Sequence, residues 1–289
     1  MKHTLIFVFI MAACALAVFG QVATPRESQR QEIAQTIGDT KISLIYHRPN
    51  VKGRKIWDGL VPFGKVWRAG ANEATLFEFS RDVTINGQPL PAGKYSFHII
   101  PQAAEWTLIF NKDEGQWGSF NYDAKDDALR VTAKVEKADF REALTYSFEA
   151  PKPDAVDMVI QWENLSVPFK INIGDIHGRV LGQIRDGLAA AEAEKKTPFL
   201  NQFANYVVTF KLTDHYAEAM EKIDASIADR ETYSNLSAKA RLLAAQGKLT
   251  EAVSTGEKAI SLGRAATPPV NPNLVASLET LVTEWKTQM

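Results

Sequence analysis

Between Tyr46 and Thr75 the sequence reads YHRPNVKGRKIWDGLVPFGKVWRAGANEAT, which crowds Arg54, Trp57, Trp67, Arg68, Asn72 and Glu73 behind His47. These residue types support one kind of recognition. Guanidinium groups fork onto a carboxylate, a phosphate or sugar hydroxyls, while an indole stacks on an apolar face. On this reading Arg54 and Arg68 anchor a small polar or anionic ligand, Trp57 or Trp67 stacks on it, and Asn72 with Glu73 fixes its orientation. The competing reading is structural: Arg68 pairs with Glu73, arginines satisfy the carbonyls of an irregular segment, and the tryptophans plug one end of a domain.

Acid–base and metal chemistry have candidates of their own. Glu73 or His98 as acid or base would give a hydrolase of a carbohydrate or cell-envelope polymer, and Glu78, Asp113, Glu114, Asp123, Asp126 and Asp127 are further carboxylates. His47, His98 and Glu73 together would make a two-histidine, one-carboxylate metal set. No HExxH stretch and no closely spaced histidine pair occurs, so no metal is expected. A GxSxG elbow is absent, as are GxGxxG and GxxxxGK[ST] loops, and no cofactor is expected. Trp117-Gly118-Ser119-Phe120-Asn121-Tyr122, after Asn111, would line a groove or belong to a core.

The elements that must position these groups are strands. KISLIYH (41–47) alternates Ile42, Leu44 and Tyr46 against Ser43, Ile45 and His47, and Arg48-Pro49 ends it. No helix or strand period fits the following segment, and a loop of that length is usually functional or disordered. TLFEFS, DVTI and GKYSFHII follow, with hairpin chemistry at Asn86-Gly87 and a turn at Pro91-Ala92-Gly93. WTLIFN, ALRVTAKVE, EALTYSFEA, AVDMVIQWEN and LSVPFKINI complete a set of about nine short strands. That pattern predicts an antiparallel, jelly-roll-like β-sandwich over 33–173.

Near Gly174-Asp175 the period becomes helical. Phe203, Val207 and Phe210, then Tyr216, Ala219, Met220, Ile223 and Ile227, recur 33 positions on as Leu236, Ala240 and Leu243, then Leu249, Ala252, Val253, Gly256 and Ile260. Such recurrence predicts a short helical repeat module over 174–289, with a helix before it at about 176–195 and a closing helix at about 273–287. Leu274, Leu278, Leu281 and Trp285 are the expected buried stripe of the last helix. The module would cover an edge of the β-domain or offer a face to a protein partner.

At 289 residues, 45% of them hydrophobic, the chain has room for both domains. Lys2 followed by an apolar run from Leu5 to Phe19, with Val18 and Gly20 before a cleavage point at Gln21, is the layout of a signal peptide over 1–20. The run is short of the roughly 20 residues that span a bilayer, so export without a transmembrane anchor is expected, to the periplasm or beyond. Residues 21–32 (QVATPRESQRQE) are expected to form a flexible arm. Cys14 is the only cysteine, so the exported chain would carry no disulfide, thiolate metal site or cysteine nucleophile. Losing Lys2 leaves 32 basic against 34 acidic residues, a net −2 that gives no attraction to nucleic acid.

RPNVKGRKIW, GKVWRAGANEAT, LPAGKYSFHIIP, WTLIFNK and WGSFNYD resemble the successive blocks of domain of unknown function family 2911, a family of exported bacterial proteins, over roughly 28–173. The helices after them, above all ARLLAAQGKLTEAVSTGEKAISLG (240–263), are similar to the tetratricopeptide-like tail many members carry. The resemblance implies kinship and no activity.

Overall fold

The computed structural model describes residues 24–289, and the signal peptide expected over 1–20 lies outside them. The chain divides into two compact units after Gly174, a β-unit and then a helical one. Among the described residues no helix is long and apolar enough to cross a membrane.

The β-unit opens with a hairpin of β1 (Gln29–Ile37) and β2 (Thr40–Arg48), paired antiparallel from Gln29↔Arg48 to Ile37↔Thr40. Part of the expected arm is therefore ordered strand. QRQE is polar on both faces because β1 is an edge strand, and only Ile37 in it is buried. In β2 the alternation holds, with Ile42, Leu44 and Tyr46 all fully buried.

With β3 (Thr75–Phe79), β6 (Gly93–Ile100), β7 (Glu105–Asn111) and β8 (Asp127–Lys134), the hairpin forms a six-stranded sheet in the order β1-β2-β3-β6-β7-β8. A second sheet runs β5 (Gln88–Leu90), β4 (Val83–Ile85), β10 (Ala155–Asn172), β9 (Glu136–Glu149). Asn86 and Gly87 turn β4 into β5 with φ of 48° and 83°, the left-handed pair that a two-residue hairpin requires.

Aromatic side chains join the two sheets. Phe169 of β10 lies 6.2, 5.9 and 6.4 Å from Phe77, Phe97 and Phe110 of the larger sheet, and Tyr46 meets Tyr146 of β9 at 4.6 Å. Arg48 adds polar ties, donating to the Leu144 carbonyl at 3.0 Å and the Thr145 hydroxyl at 2.9 Å. AVDMVIQWEN and LSVPFKINI, expected as separate strands, are one strand. The register slips on either side of Glu163, whose φ is 56°, so a bulge stands where a turn was expected.

The helical unit runs α1 (Ile176–Ala190), α2 (Lys196–Thr209), α3 (Tyr216–Asp229), α4 (Tyr233–Ala245), α5 (Leu249–Ala265) and α6 (Pro272–Thr287). Asp175 caps α1 through the Gly178 amide at 2.8 Å, Thr232 and Asn235 form a capping box on α4, and Asn271 with Pro272 starts α6. Helices α3 and α5 begin 33 positions apart, and Ala219 and Ala252, at equivalent places in them, are fully buried. In α6 the buried stripe is Val275, Leu278, Val282 and Trp285; Leu274 is 52% exposed. The expected stripe is thus displaced by one residue at two of its four places, Val275 standing for Leu274 and Val282 for the half-buried Leu281.

Candidate functional site

The long loop joins β2 to β3 and has no regular structure of its own, yet it is tied down along its length. Trp67 and Ile99 exchange backbone hydrogen bonds of 2.8 Å, the Val51 amide donates to the Glu142 carbonyl at 2.8 Å, and Glu73 bridges to Trp117. These ties hold four non-glycine residues, Lys52, Asp58, Ala69 and Asn72, in the left-handed region at φ of 49–59°. At Gly70 a Cβ would sit 2.9 Å from the Thr75 hydroxyl and 3.1 Å from the His47 carbonyl, so only glycine lets the loop lie this close to β2 and β3.

Four indoles lie under the loop. Trp57 is 9% exposed and packs 6.0 Å from Trp67, 4.6 Å from Trp106 and 5.8 Å from Trp162, whose rings come from the loop, β7 and β10. It belongs to a floor and presents no face to a ligand. Trp67 is half-buried, stacked on Trp162 at 5.8 Å, with its Nε1 donating to the Gly70 carbonyl at 3.1 Å.

Two hollows open on this loop, and Ser28 lines both. The first, about 650 Å³, is lined by Arg26, Arg30, His47, Glu73, Leu76 and Glu114 among others. Arg26 donates to both Glu73 oxygens at 2.7 and 2.6 Å and lies 5.5 Å over the Trp117 ring, while His47 Nε2 stands 3.4 Å from the same carboxylate. The Arg26 hydrogen bond holds the Glu73 carboxyl below the usual range, and burial pushes the His47 imidazole down. Both shifts favour an ionised Glu73 beside a neutral His47 at neutral pH.

The second hollow, about 270 Å³, is lined by Glu27, Lys52, Arg54, Trp67, Arg68 and Trp162 among others. Arg54 is engaged by the loop itself, donating to the Val51 carbonyl at 3.1 Å and the Asn50 carbonyl at 2.6 Å. Lys52 meets the Glu27 carboxylate. Arg68 is different. Its Nε is buried without a hydrogen-bond partner, and its side chain makes no hydrogen bond or ion pair with any described residue. Burial lowers its pKa, the expected response of a cation with nothing opposite it.

Of the residues singled out in the sequence, the fold brings Arg54, Trp67 and Arg68 to one hollow and His47 and Glu73 to the other. Asn72 stands apart from both linings, its amide directed at the Ser28 carbonyl 3.4 Å away. Sequence reasoning missed Arg26, Glu27 and Ser28, because they fall in the polar stretch read as an arm. His98 is fully buried in β6, with Nδ1 3.0 Å from the Ser119 hydroxyl and Nε2 3.1 Å from the Ser96 hydroxyl. Burial pushes its pKa down to about 4, so it is a neutral strut. Among the described residues no three His, Cys, Asp or Glu side chains are grouped to hold a metal ion.

Residues 28–171 match a family model described as "Protein of unknown function (DUF2911)". Comparison with curated proteins gave no match, and neither did comparison with solved structures.

Proposed function

Starting from a chain that belongs to the DUF2911 family through residues 28–171, we propose that its β-unit is a non-catalytic binding module for a small anion, a carboxylate above all. The observation that carries this reading is Arg68, which lines a hollow of about 270 Å³ and whose buried Nε has no hydrogen-bond partner. A buried N–H without an acceptor is costly, and a ligand oxygen placed there recovers what folding left unmade. Arg54 raises the local positive charge, the charge of Lys52 being met by Glu27, and Trp67 and Trp162 supply apolar surface. The chain itself indicates the chemistry, since the Glu27 carboxylate already reaches Lys52 on the same rim.

The rest of the reading follows from the sequence. The protein is exported, its two sheets form a jelly-roll-like sandwich, and its helices are a tetratricopeptide-like module that serves packing or contact with a protein partner. A hydrolase built on Glu73 or His98 gains no support, because one is ion-paired and the other is a buried neutral imidazole.

The test is thermal unfolding of the full chain with acetate, succinate, inorganic phosphate and glucose. Succinate or acetate should raise the midpoint in a saturable way, and glucose should not. Arg68→Gln should lower the anion affinity tenfold or more, about 1.4 kcal/mol, while its ligand-free midpoint stays near that of the parent. An equal anion response in Arg68→Gln, or no response to any of the anions, overturns the reading.

A further inference from the structure

The helical unit contains a hollow of about 760 Å³ in which cations are left without partners. Arg230, just after α3, and Arg241, in α4, line it, and Leu262, Val270 and Leu274 supply apolar surface from α5, the α5–α6 connection and α6. The Arg241 Nε is buried with no acceptor, and neither arginine side chain makes a hydrogen bond or ion pair with a described residue. Cations nearby on the same helices are settled differently. Lys258 meets Glu231 at 2.5 Å, Lys239 meets Asp224 at 2.6 Å, and Arg264 meets Glu279 at 2.6 Å.

Leu274 sharpens the contrast. It occupies a place where a buried stripe was expected, yet it is 52% exposed, while Val275 beside it enters the core. An aliphatic side chain is thus held at the rim of the hollow, on the same opening as two uncommitted guanidinium groups. Glu231, also on that rim, is taken up by Lys258, so the two arginines are the uncompensated charges of the lining.

We propose that this hollow binds an organic monocarboxylate with a compact hydrocarbon body, the carboxylate on Arg241 and Arg230 and the body on Leu262, Val270 and Leu274. Guanidinium groups match the two oxygens of a carboxylate, and the apolar side chains discriminate against head groups that carry no body. This site is independent of the one proposed for the β-unit.

Calorimetric titration with octanoate tests it on the full chain carrying Arg68→Gln, which silences the carboxylate hollow of the β-unit, with acetate as head alone and 1-octanol as body alone. Octanoate should bind saturably at one site, acetate and 1-octanol should bind at least tenfold more weakly, and Arg241→Gln should weaken octanoate tenfold or more. If Arg241→Gln does not fold, Arg230→Gln takes its place, because Arg230 is exposed and its removal disturbs no packing. The proposal is overturned if octanoate does not bind, if 1-octanol binds as well, or if the substituted helical-unit arginine leaves the affinity intact.

Discussion

The two hollows of the β-unit share Ser28 and draw on the same loop, but they settle their charges in opposite ways. In the larger, Arg26, Glu73 and His47 close on one another. In the smaller, Arg54 is taken up by backbone carbonyls and Arg68 is left over. A concentration of charged residue types is therefore no site in itself. What matters is the charge that remains after folding has made its internal pairs, and here that remainder is Arg68 on the lining of the smaller hollow.

The largest effect should come from breaking the floor of indoles under the loop. Trp57 fills the space between Trp67, Trp106 and Trp162, so Trp57→Ala should cost about 3–5 kcal/mol in urea unfolding and remove the anion response with it. On the side of the larger hollow, Trp117 is 55% exposed, and Trp117→Ala should stay within about 0.5 kcal/mol of the parent. Similar losses from the two substitutions would mean that the hollows do not differ in how they are supported.

Next in size is a pH effect on the side of the paired charges. His98 braces Ser119 in the turn that carries Trp117, the residue bridged to Glu73. Its folded pKa of about 4 lies below the ordinary 6.5, so the unfolded chain binds its proton first. The stability at stake is fully present above pH 6.5 and is lost as pH falls through 4, a difference of about 3 kcal/mol. His98→Asn should flatten this slope in urea midpoints taken from pH 7 to 4. The helical unit titrates lower. Arg185 and Lys222 hold Glu218 down to about 2, so its contribution is present above the ordinary 4.5 and fades only as pH falls toward 2. A single transition window for both units would contradict these assignments.

Much of the frame was legible because it rests on local rules. The alternation of Ile42, Leu44 and Tyr46 and the Asn86-Gly87 turn are each written in a few adjacent residues, and the 33-residue offset of α3 and α5 is one local helical pattern written twice. What escaped depends on distant partners. An edge strand can be polar on both faces, so QRQE gave no sign that β1 begins at Gln29. A bulge at Glu163 continues a strand through a sequence that reads as a turn. At the site, Arg54, Trp67 and Arg68 were recognisable by type, but Trp57 is the same type and faces inward. The partner that takes Glu73 away from Arg68 is Arg26, 47 residues earlier, which no spacing rule connects to it.

The smallest predicted effect is the most discriminating, because it sets a carboxylate of one hollow against a carboxylate of the other. Glu27 faces Lys52 at the Arg68 hollow, whereas Glu73 is held by Arg26 at the other. Glu27→Gln removes a negative charge from the smaller rim without touching Arg68, and an exposed pair of this kind is worth roughly 0.2–1 kcal/mol. Succinate affinity should therefore rise about two- to fivefold at low salt, and most of that gain should vanish in 0.5 M sodium chloride, where screening extends over only a few ångströms. Glu73→Gln removes the same charge from the neighbouring hollow and should leave succinate affinity where it was. Equal gains from both substitutions would show that the anion senses only the net charge of the loop, and the distinction between a settled and an unsettled hollow would fall with it.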